Sequence, residues 1–460
     1  MSDISLSLAE IVGENYVSNE EEEAYFYARD PGLMPAHKPD YVIVPKTAEE
    51  IQKIVRLANK EKIPIVPIGA GMALTGLSIP LKGGIVIDMK RMNKIIQVNE
   101  KARYVIVEGG TSHGVLKAYL EKNYPRLRHS VPDSPATATI AANVMIHGQG
   151  RLTQQYGFNS DMVTGLEIVL PSGEICKIGS CSISPEWFSK GAPLPDLSGL
   201  FLGWFGATGI ITKVAIKLYP GKKMRDVEIF ITDKEDLVPD IIYEITHTEM
   251  VEDINIFAQP LPLIFKDNHH ITIFITGDTD EELEFKRKMI WDALDGFIKS
   301  KDGGFMSVPP VMKPTLLDMP QKSVSRFADV KKGGGFEYSG PIILVERYPE
   351  CSRKVMELGS KYDLAYSAMA RIIGRGHCMM FGFAFTFNRA DSDMMDRVRK
   401  ALHEVSDYAL SVGGVFWKAT VDEQRMAIER MDPNTRNLMH MIKNNLDPNG
   451  IMNPGNWEVT

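Results

Sequence analysis

The sequence predicts an α+β chain of more than one domain, and three observations carry that reading. A β-α-β unit stands near the start, a set of tightly turned strands follows it, and strands and helices then alternate from about residue 222 to 409. The length, 460 residues, suggests two to three domains. With 44% hydrophobic residues there is apolar material for a real core.

The elements follow in order. Residues 1–30 read as helical, and the acidic run Glu20–Glu23 reads as a solvated helix start after Ser18 and Asn19. Tyr41–Val44 is an apolar strand stopped by Pro45. Thr47-Ala48-Glu49-Glu50 is a capping box, and Ile51, Ile54, Val55 and Ala58 recur at helical spacing behind it. A strand over Ile63–Ile68 is broken by Gly69-Ala70-Gly71; strands over 85–89, 95–99 and 103–108 and a helix near 112–122 come next. Residues 163–178 read as a hairpin turning at Pro171-Ser172-Gly173, and the strand 210–219 ends at Pro220-Gly221, a candidate boundary. Beyond it the alternating elements fall at 226–232, 235–249, 254–258, 271–276, 280–300, 341–347, 350–361, 379–387 and 391–412. The Gly-, Pro- and Lys-rich stretch 301–340 reads as a long loop, and the Pro-, Asn- and Gly-rich run 445–455 as an ordered, non-helical tail.

A net charge of -7 argues against a phosphate-binding nucleic-acid surface. Cys176, Cys181, Cys351 and Cys378 form no C-x-x-C pair and no cluster or metal set, so they read as reduced, mostly buried thiols of a cytoplasmic protein. No basic-then-apolar leader opens the chain, and no apolar run approaches a transmembrane segment.

Three segments carry chemistry. In Ile68-Gly69-Ala70-Gly71-Met72-Ala73-Leu74-Thr75-Gly76 a strand ends in small residues, which lets a pyrophosphate approach successive backbone N–H groups. The G-x-G-x-x-G fingerprint is not met, and a plain tight turn is the competing reading. Val131–Asn143, continued by Gly148-Gln149-Gly150 and Tyr156-Gly157, has small residues and threonines with little periodicity; it reads as chain laid flat against a ligand or as a surface loop. Asp196–Phe201 leads into Gly206-Ala207-Thr208-Gly209-Ile210-Ile211-Thr212, another small-residue turn entering a strand.

Together these segments resemble the FAD-binding domain of the vanillyl-alcohol oxidase/p-cresol methylhydroxylase (PCMH) superfamily. Pro39–Pro45 resembles that family's opening P-D-x-V-x-x-P strand, 69–76 its pyrophosphate loop, 131–157 its second flavin segment, 206–212 its G-x-x-G-I-[IV]-T element and Leu446–Ile451 its closing L-D-P-N-G-[IL] turn. The resemblance implies a two-part FAD-binding domain of the PCMH type over 1–222, an α/β cap over 223–409 that holds substrate, and a segment over 410–460 returning to the first domain. It implies FAD contacts at Ile68, Gly69, Ala70, Gly71, Met72, Ala73, Leu74, Thr75, Pro132, Asp133, Thr139, Ala142, Asn143, Gly148, Gly150, Tyr156, Gly157, Gly206, Gly209, Ile210, Ile211, Lys418 and Asn453. No His or Cys lies in the pyrophosphate loop, so the FAD is expected to be held without a covalent bond.

Two enzyme branches compete. Many 2-hydroxy-acid (D-lactate and glycolate) dehydrogenases carry G-H-x-G-D-G-N-x-H and G-E-H-G stretches that supply metal ligands. Here those places read Gly376-His377-Cys378-Met379-Met380-Phe381 and Gly413-Gly414-Val415-Phe416, so His377 is expected to be an ordinary core or pocket histidine and no metal is expected. The branch acting on benzylic or phenolic carbons shares Val131-Pro132-Asp133 and an aromatic-basic pair, here Trp417-Lys418, but two of its phenol-binding tyrosines correspond to Leu74 and Trp417. With Met379 and Met380 nearby in sequence, for which packing in the core of a strand is the competing reading, that points to a hydrophobic or aromatic alcohol or activated C–H substrate, touched by Leu74, His377, Met379 and Trp417. The expected catalytic residues are Asp133, Lys418 and Trp417. Asp133 would be a desolvated proton acceptor or a hydrogen-bond partner of the reduced flavin, or else a turn cap bonded to its own backbone; Lys418 would be a cation near the flavin N1 side or facing a substrate anion, or else a surface lysine. A chain without a cysteine set would pass electrons to a partner (an iron-sulfur protein, a cytochrome or an electron-transferring flavoprotein), alone or within a homo- or hetero-oligomer. An electron-transfer subunit is the alternative role.

Overall fold

The computed structural model describes residues 3–258, 269–318 and 334–458. Three sheets organise them. The first places Val17–Ser18, Tyr41–Ile43, Ile85–Asp88 and Ile65–Ile68 side by side, with the last three parallel. Parallel neighbours need a crossover, and the helix Ala48–Glu61 supplies it. The Thr47 hydroxyl accepts from the Glu50 N–H to start that helix, and Ile51, Ile54, Val55 and Ala58 are its buried face. The second sheet is antiparallel, in the order Ile95–Asn99, Tyr104–Glu108, Ile210–Lys217, Val163–Val169, Ile175–Gly179.

The third sheet is the largest. Its strands run Gly304–Met306, Met224–Thr232, His269–Gly277, Asp253–Ala258, Tyr366–Ile373, Cys378–Asn388, Gly334–Ser339, all antiparallel, with Ile342–Ile343 also on Cys378–Asn388. Val238–His247, Asp280–Lys299, Tyr348–Tyr362 and Ser392–Ser411 pack apolar faces against it, and their residues form the largest core cluster. The chain end returns to the first sheet: Ile65 donates to the Ile451 carbonyl at 2.7 Å and accepts from the Asn453 N–H at 2.7 Å.

Several expectations are corrected. The stretch read as one loop over 301–340 holds the strands Gly304–Met306 and Gly334–Ser339 and the helix Lys313–Asp318; residues 319–333 lie outside the described residues. Gly334-Gly335 opens the second of these strands because the Phe387 ring packs where a Gly335 side chain would be. The strand expected at 341–347 is two residues long, since the backbone turns into a helix at Tyr348. Tyr366–Ile373, absent from the sequence reading, is a full strand. The first 30 residues form two helices, Asp3–Val12 and Glu21–Phe26, with Glu21, Glu22 and Glu23 in an exposed first turn. Cys181 and Cys351 are buried, Cys176 and Cys378 half-buried, and all are free thiols. Among the described residues no helix is long and apolar enough to cross a membrane.

Candidate active site

A cleft of about 1220 Å³, open mouth included, lies where the glycine turn, the second small-residue segment, the large sheet and the loop carrying Trp417 and Lys418 meet. The turn leaves the parallel strand Ile65–Ile68 with Gly71, Leu74 and Gly76 at positive φ (64°, 72° and 78°). Positive φ in a leucine is strained and needs support. Leu74 is 3% exposed and packed with Phe336, Tyr338, Ala384 and Trp417. A Cβ on Gly69 would lie 2.3 Å from Thr139 Oγ1, so only glycine lets the turn and the second segment touch.

The second segment bridges Pro132 to Gly150 and enters a short helix, Ile140–Met145, whose end carbonyl at Ile146 accepts from Trp417 Nε1 at 2.9 Å. Asp133 stands at the cleft with Arg371, from the strand Tyr366–Ile373. Arg371 Nη1 is 2.7 Å from Asp133 Oδ2, and its Nη2 is 2.9 Å from Asp253 Oδ2. Arg371 is 3% and Asp253 1% exposed. Burial pushes the Asp253 carboxyl up to about 6 against the pull of Arg371. Burial also opposes the Arg371 charge, yet Asp133 and Asp253 together raise its pKa.

Lys418 is 7% exposed, so it is not a surface lysine. Its Nζ donates to the Ala73 carbonyl at 3.2 Å and stands 4.7 Å and 4.6 Å from the Tyr338 and Trp417 rings. Asp133 does not cap its own turn: residue 135 is a proline without an N–H, and Asp133 Oδ1 is buried without a partner.

The site residues expected from the sequence divide into two groups. Gly69, Ala70, Gly71, Met72, Ala73, Leu74, Pro132, Asp133, Thr139, Ala142, Asn143, Trp417 and Lys418 line the cleft. The others lie outside its lining. Gly148 and Gly150 back it, since a Cβ on Gly148 would lie 2.1 Å from Asn143 Nδ2 and one on Gly150 2.5 Å from Ser130 Oγ. Gly206 packs on Pro67, and Asn453 donates to the Leu77 and Phe205 carbonyls at 2.9 and 2.6 Å. Ile68 and Thr75 flank the turn, Gly209 meets Ile168, and Ile210 and Ile211 are core residues. Tyr156 is 41% exposed and stacks on Tyr219, while Gly157 faces Asp161.

Two substrate expectations are corrected. His377 is exposed in the turn between Tyr366–Ile373 and Cys378–Asn388, beyond the end of the cleft, because that hairpin carries it away. Met379 is 0% exposed but points into the large core; strand alternation gives the cleft Met380 instead. The same alternation brings Met369 and Arg371 to the cleft, and sequence reasoning missed both, along with Gln149 and Tyr338. One signal for Arg371 existed: it is the single charged residue in the strand YSAMARII.

The cleft fits a large ligand bearing phosphate and polar ring atoms. Among the described residues the backbone N–H groups of Ala70, Gly71, Met72 and Ala73 make no hydrogen bond within the protein. Asp133 Oδ1, Ser134 Oγ, Thr139 Oγ1 and both terminal atoms of Gln149 are buried and unpartnered around the same space. Buried polar atoms left this way call for a ligand or water to satisfy them.

Residues 39–179 match the FAD binding domain family, and residues 342–457 match the C-terminal domain of FAD linked oxidases. The chain belongs to the FAD-linked oxidases. It is therefore an FAD-dependent oxidoreductase of the PCMH-type fold. This FAD-linked oxidase is 24% identical over 473 residues to the glycolate oxidase subunit GlcD of Bacillus subtilis (strain 168), covering 98% of this chain and 96% of that one. It is 24% identical to the flavoprotein subunit of the hydroxylating 4-cresol dehydrogenase of Pseudomonas putida, over 91% of this chain and 88% of that one. The solved structure of 4-ethylphenol oxidase from Gulosibacter chungangensis, in its isoeugenol complex, superimposes with a TM-score of 0.85 at 21% identity, over 99% of this chain and 97% of that one.

Proposed function

We propose that this FAD-linked oxidase acts on a hydrophobic or aromatic substrate, at an alcohol or an activated C–H, and passes the electrons to a partner protein. FAD, when bound, supplies the two-electron acceptor for a hydride. The protein supplies the rest. Gly69, with the N–H groups of Ala70, Gly71, Met72 and Ala73, forms the cradle for the pyrophosphate. Thr139, Gln149 and Ser134 offer polar atoms to the remaining groups of the cofactor. Lys418, buried and held between two aromatic rings, is the cation that balances negative charge in the cleft. Asp133 Oδ1 accepts the substrate proton, while Oδ2 stays on Arg371.

The observation that carries the substrate class is the wall around Asp133. Leu74, Tyr338, Met369, Met380 and Trp417 make it apolar, and its one guanidinium already faces two carboxylates. A substrate carboxylate there would be a third anion on Arg371, which favours a neutral substrate over a 2-hydroxy acid. Anaerobic flavin reduction by a panel of alcohols, alkylphenols and 2-hydroxy acids tests this. Reduction by the hydroxy acids alone would sink the reading.

Turnover is expected to survive a strong chelator, because His377 stands outside the cleft and the described residues hold no group of three His, Cys, Asp or Glu side chains placed for a metal. Loss of activity restored by zinc or manganese would return the hydroxy-acid reading to first place. The partner proposal is supported by the four scattered cysteines, which cannot hold a cluster in this chain. Rapid turnover with an electron-accepting dye and slow turnover with oxygen is the expected pattern.

A further inference from the structure

Beneath the glycine turn lies a pair of buried carboxyl groups that the reaction does not use. Asp30, in the segment after the second helix, is 6% exposed; Glu337, in the large-sheet strand Gly334–Ser339, is 5% exposed. Their oxygens are divided among backbone donors. Asp30 Oδ1 accepts from Gly32 N at 2.8 Å and Oδ2 from Gly76 N at 2.8 Å. Glu337 Oε2 accepts from Leu33 N at 2.8 Å and Oε1 from Tyr338 N at 3.1 Å. Residues 30–33 are thereby pinned on one side to the glycine turn and on the other to the large sheet.

Gly32 sits at the crossing. A Cβ there would lie 2.0 Å from the Leu74 carbonyl, 2.4 Å from Glu337 Oε2 and 3.0 Å from Asp30 Oδ1, so turn, sheet and segment meet at one point. Two cations act on the pair: Lys418, buried beside Tyr338 on the Ala73 carbonyl, and Arg389, exposed just past the strand Cys378–Asn388. Two buried carboxylates against one buried lysine leave an uncompensated negative charge. One proton on the pair removes it.

We propose that Asp30 and Glu337 form a one-proton latch that clamps the N-terminal segment between the cofactor turn and the large sheet, and that positions Lys418 in the cleft. Loss of the proton would set two like charges together, loosen residues 30–33 and draw Lys418 away from Ala73. The direction agrees with the electrostatics of the pair. Burial, with the Asp30 charge added, pushes the Glu337 carboxyl up to about 8, and burial raises Asp30 as well. The folded chain therefore holds a proton that the unfolded chain releases near the ordinary glutamate value. The stabilisation is complete below that value and is lost as pH rises through about 8.

The test uses the full-length chain and needs no turnover. Amide hydrogen exchange of peptides covering residues 30–33 and 74–77 is followed from about pH 6 to about pH 10, corrected for intrinsic rates, beside thermal unfolding over the same range. In the parent, protection of both peptides should fall roughly tenfold across the step, with unfolding temperature falling alongside. Glu337→Gln carries a permanently neutral group and should show no step, even though its amide forfeits one backbone bond. Asp30→Asn removes the neighbouring charge and should move the step to lower pH. Labelling of Lys418 by an amine reagent at high pH should be faster in the parent than in Glu337→Gln. Parallel curves in parent and Glu337→Gln would overturn the latch. Should Glu337→Gln not fold, an unmoved step in Asp30→Asn overturns it equally. Equal Lys418 labelling would remove the positioning role.

Discussion

Asp133 and Lys418 reach the same cleft from distant parts of the chain, and each carries a defined charge problem. Asp133 has one oxygen on Arg371 and one buried and free. Asp133→Asn keeps the size but replaces the acceptor and weakens the ion pair. Flavin reduction by substrate should fall by about 10²-fold or more with FAD still bound, the usual scale for losing a general base. Stopped-flow reduction at the parent rate would reject the role. Lys418→Met keeps the aliphatic stem between Tyr338 and Trp417 and deletes the charge. Reduction should slow by at least about tenfold, with about 10²-fold the usual scale for losing one preorganised electrostatic contact. Because Asp30 and Glu337 also face this cation, the variant should bind its latch proton more tightly, which the exchange experiment can read in the same protein.

At the level of elements, the legible parts were those with a strong local signal. The capped helix Ala48–Glu61, the parallel strands around it and the glycine turn were readable because period, cap and breaker agree there. The strand Gly334–Ser339 was hidden by its two leading glycines, and Tyr366–Ile373 by a mixed polar and apolar composition. Losing those two strands meant losing Glu337, Tyr338, Met369 and Arg371, because a strand's facing residues cannot be named before the strand is. Met379 was chosen over Met380 for the same reason: a neighbouring pair on a strand points both ways, and only the sheet says which way is in. The turn itself makes a sharp prediction. Gly69→Ala places a methyl 2.3 Å from Thr139 Oγ1 and 3.3 Å from its Cγ2. FAD affinity of the apoprotein should drop by about tenfold or more, the effect of a clash worth roughly 1.4 kcal/mol. Thr139→Ala forfeits its own polar contact with the cofactor, so the comparison is made in that background: adding Gly69→Ala to Thr139→Ala, where both atoms are already gone, should weaken FAD binding in a fluorescence titration far less than Gly69→Ala does in the parent, and an equal loss in the two backgrounds would show that the turn is not shaped by this contact.

At the scale of the whole molecule, the last residues close the structure around the cofactor turn. Asn453 is 1% exposed, with φ at 38°, a backbone conformation that asparagine and glycine tolerate best. Its backbone N–H pairs with Ile65 in the first sheet, and its side-chain amide donates to Leu77, just past the glycine turn, and to Phe205, in the segment leading to Gly206. One side chain thus joins the chain end, the turn and the third small-residue segment. Asn453→Ala leaves two carbonyls short of a buried donor and puts a Cβ-bearing residue without asparagine's local bonding into the left-handed region. The expected cost is about 2–4 kcal/mol in denaturant unfolding, combining roughly 1–3 kcal/mol for unmet buried groups with about 1 kcal/mol of backbone strain. Asn453→Gly removes the same donors without the strain and should be less destabilised by about 1 kcal/mol. Both variants should lose FAD affinity together, because both release the Leu77 carbonyl that anchors the turn. If stability falls while FAD affinity stays at the parent value in both, the chain end supports the fold without shaping the cofactor cradle.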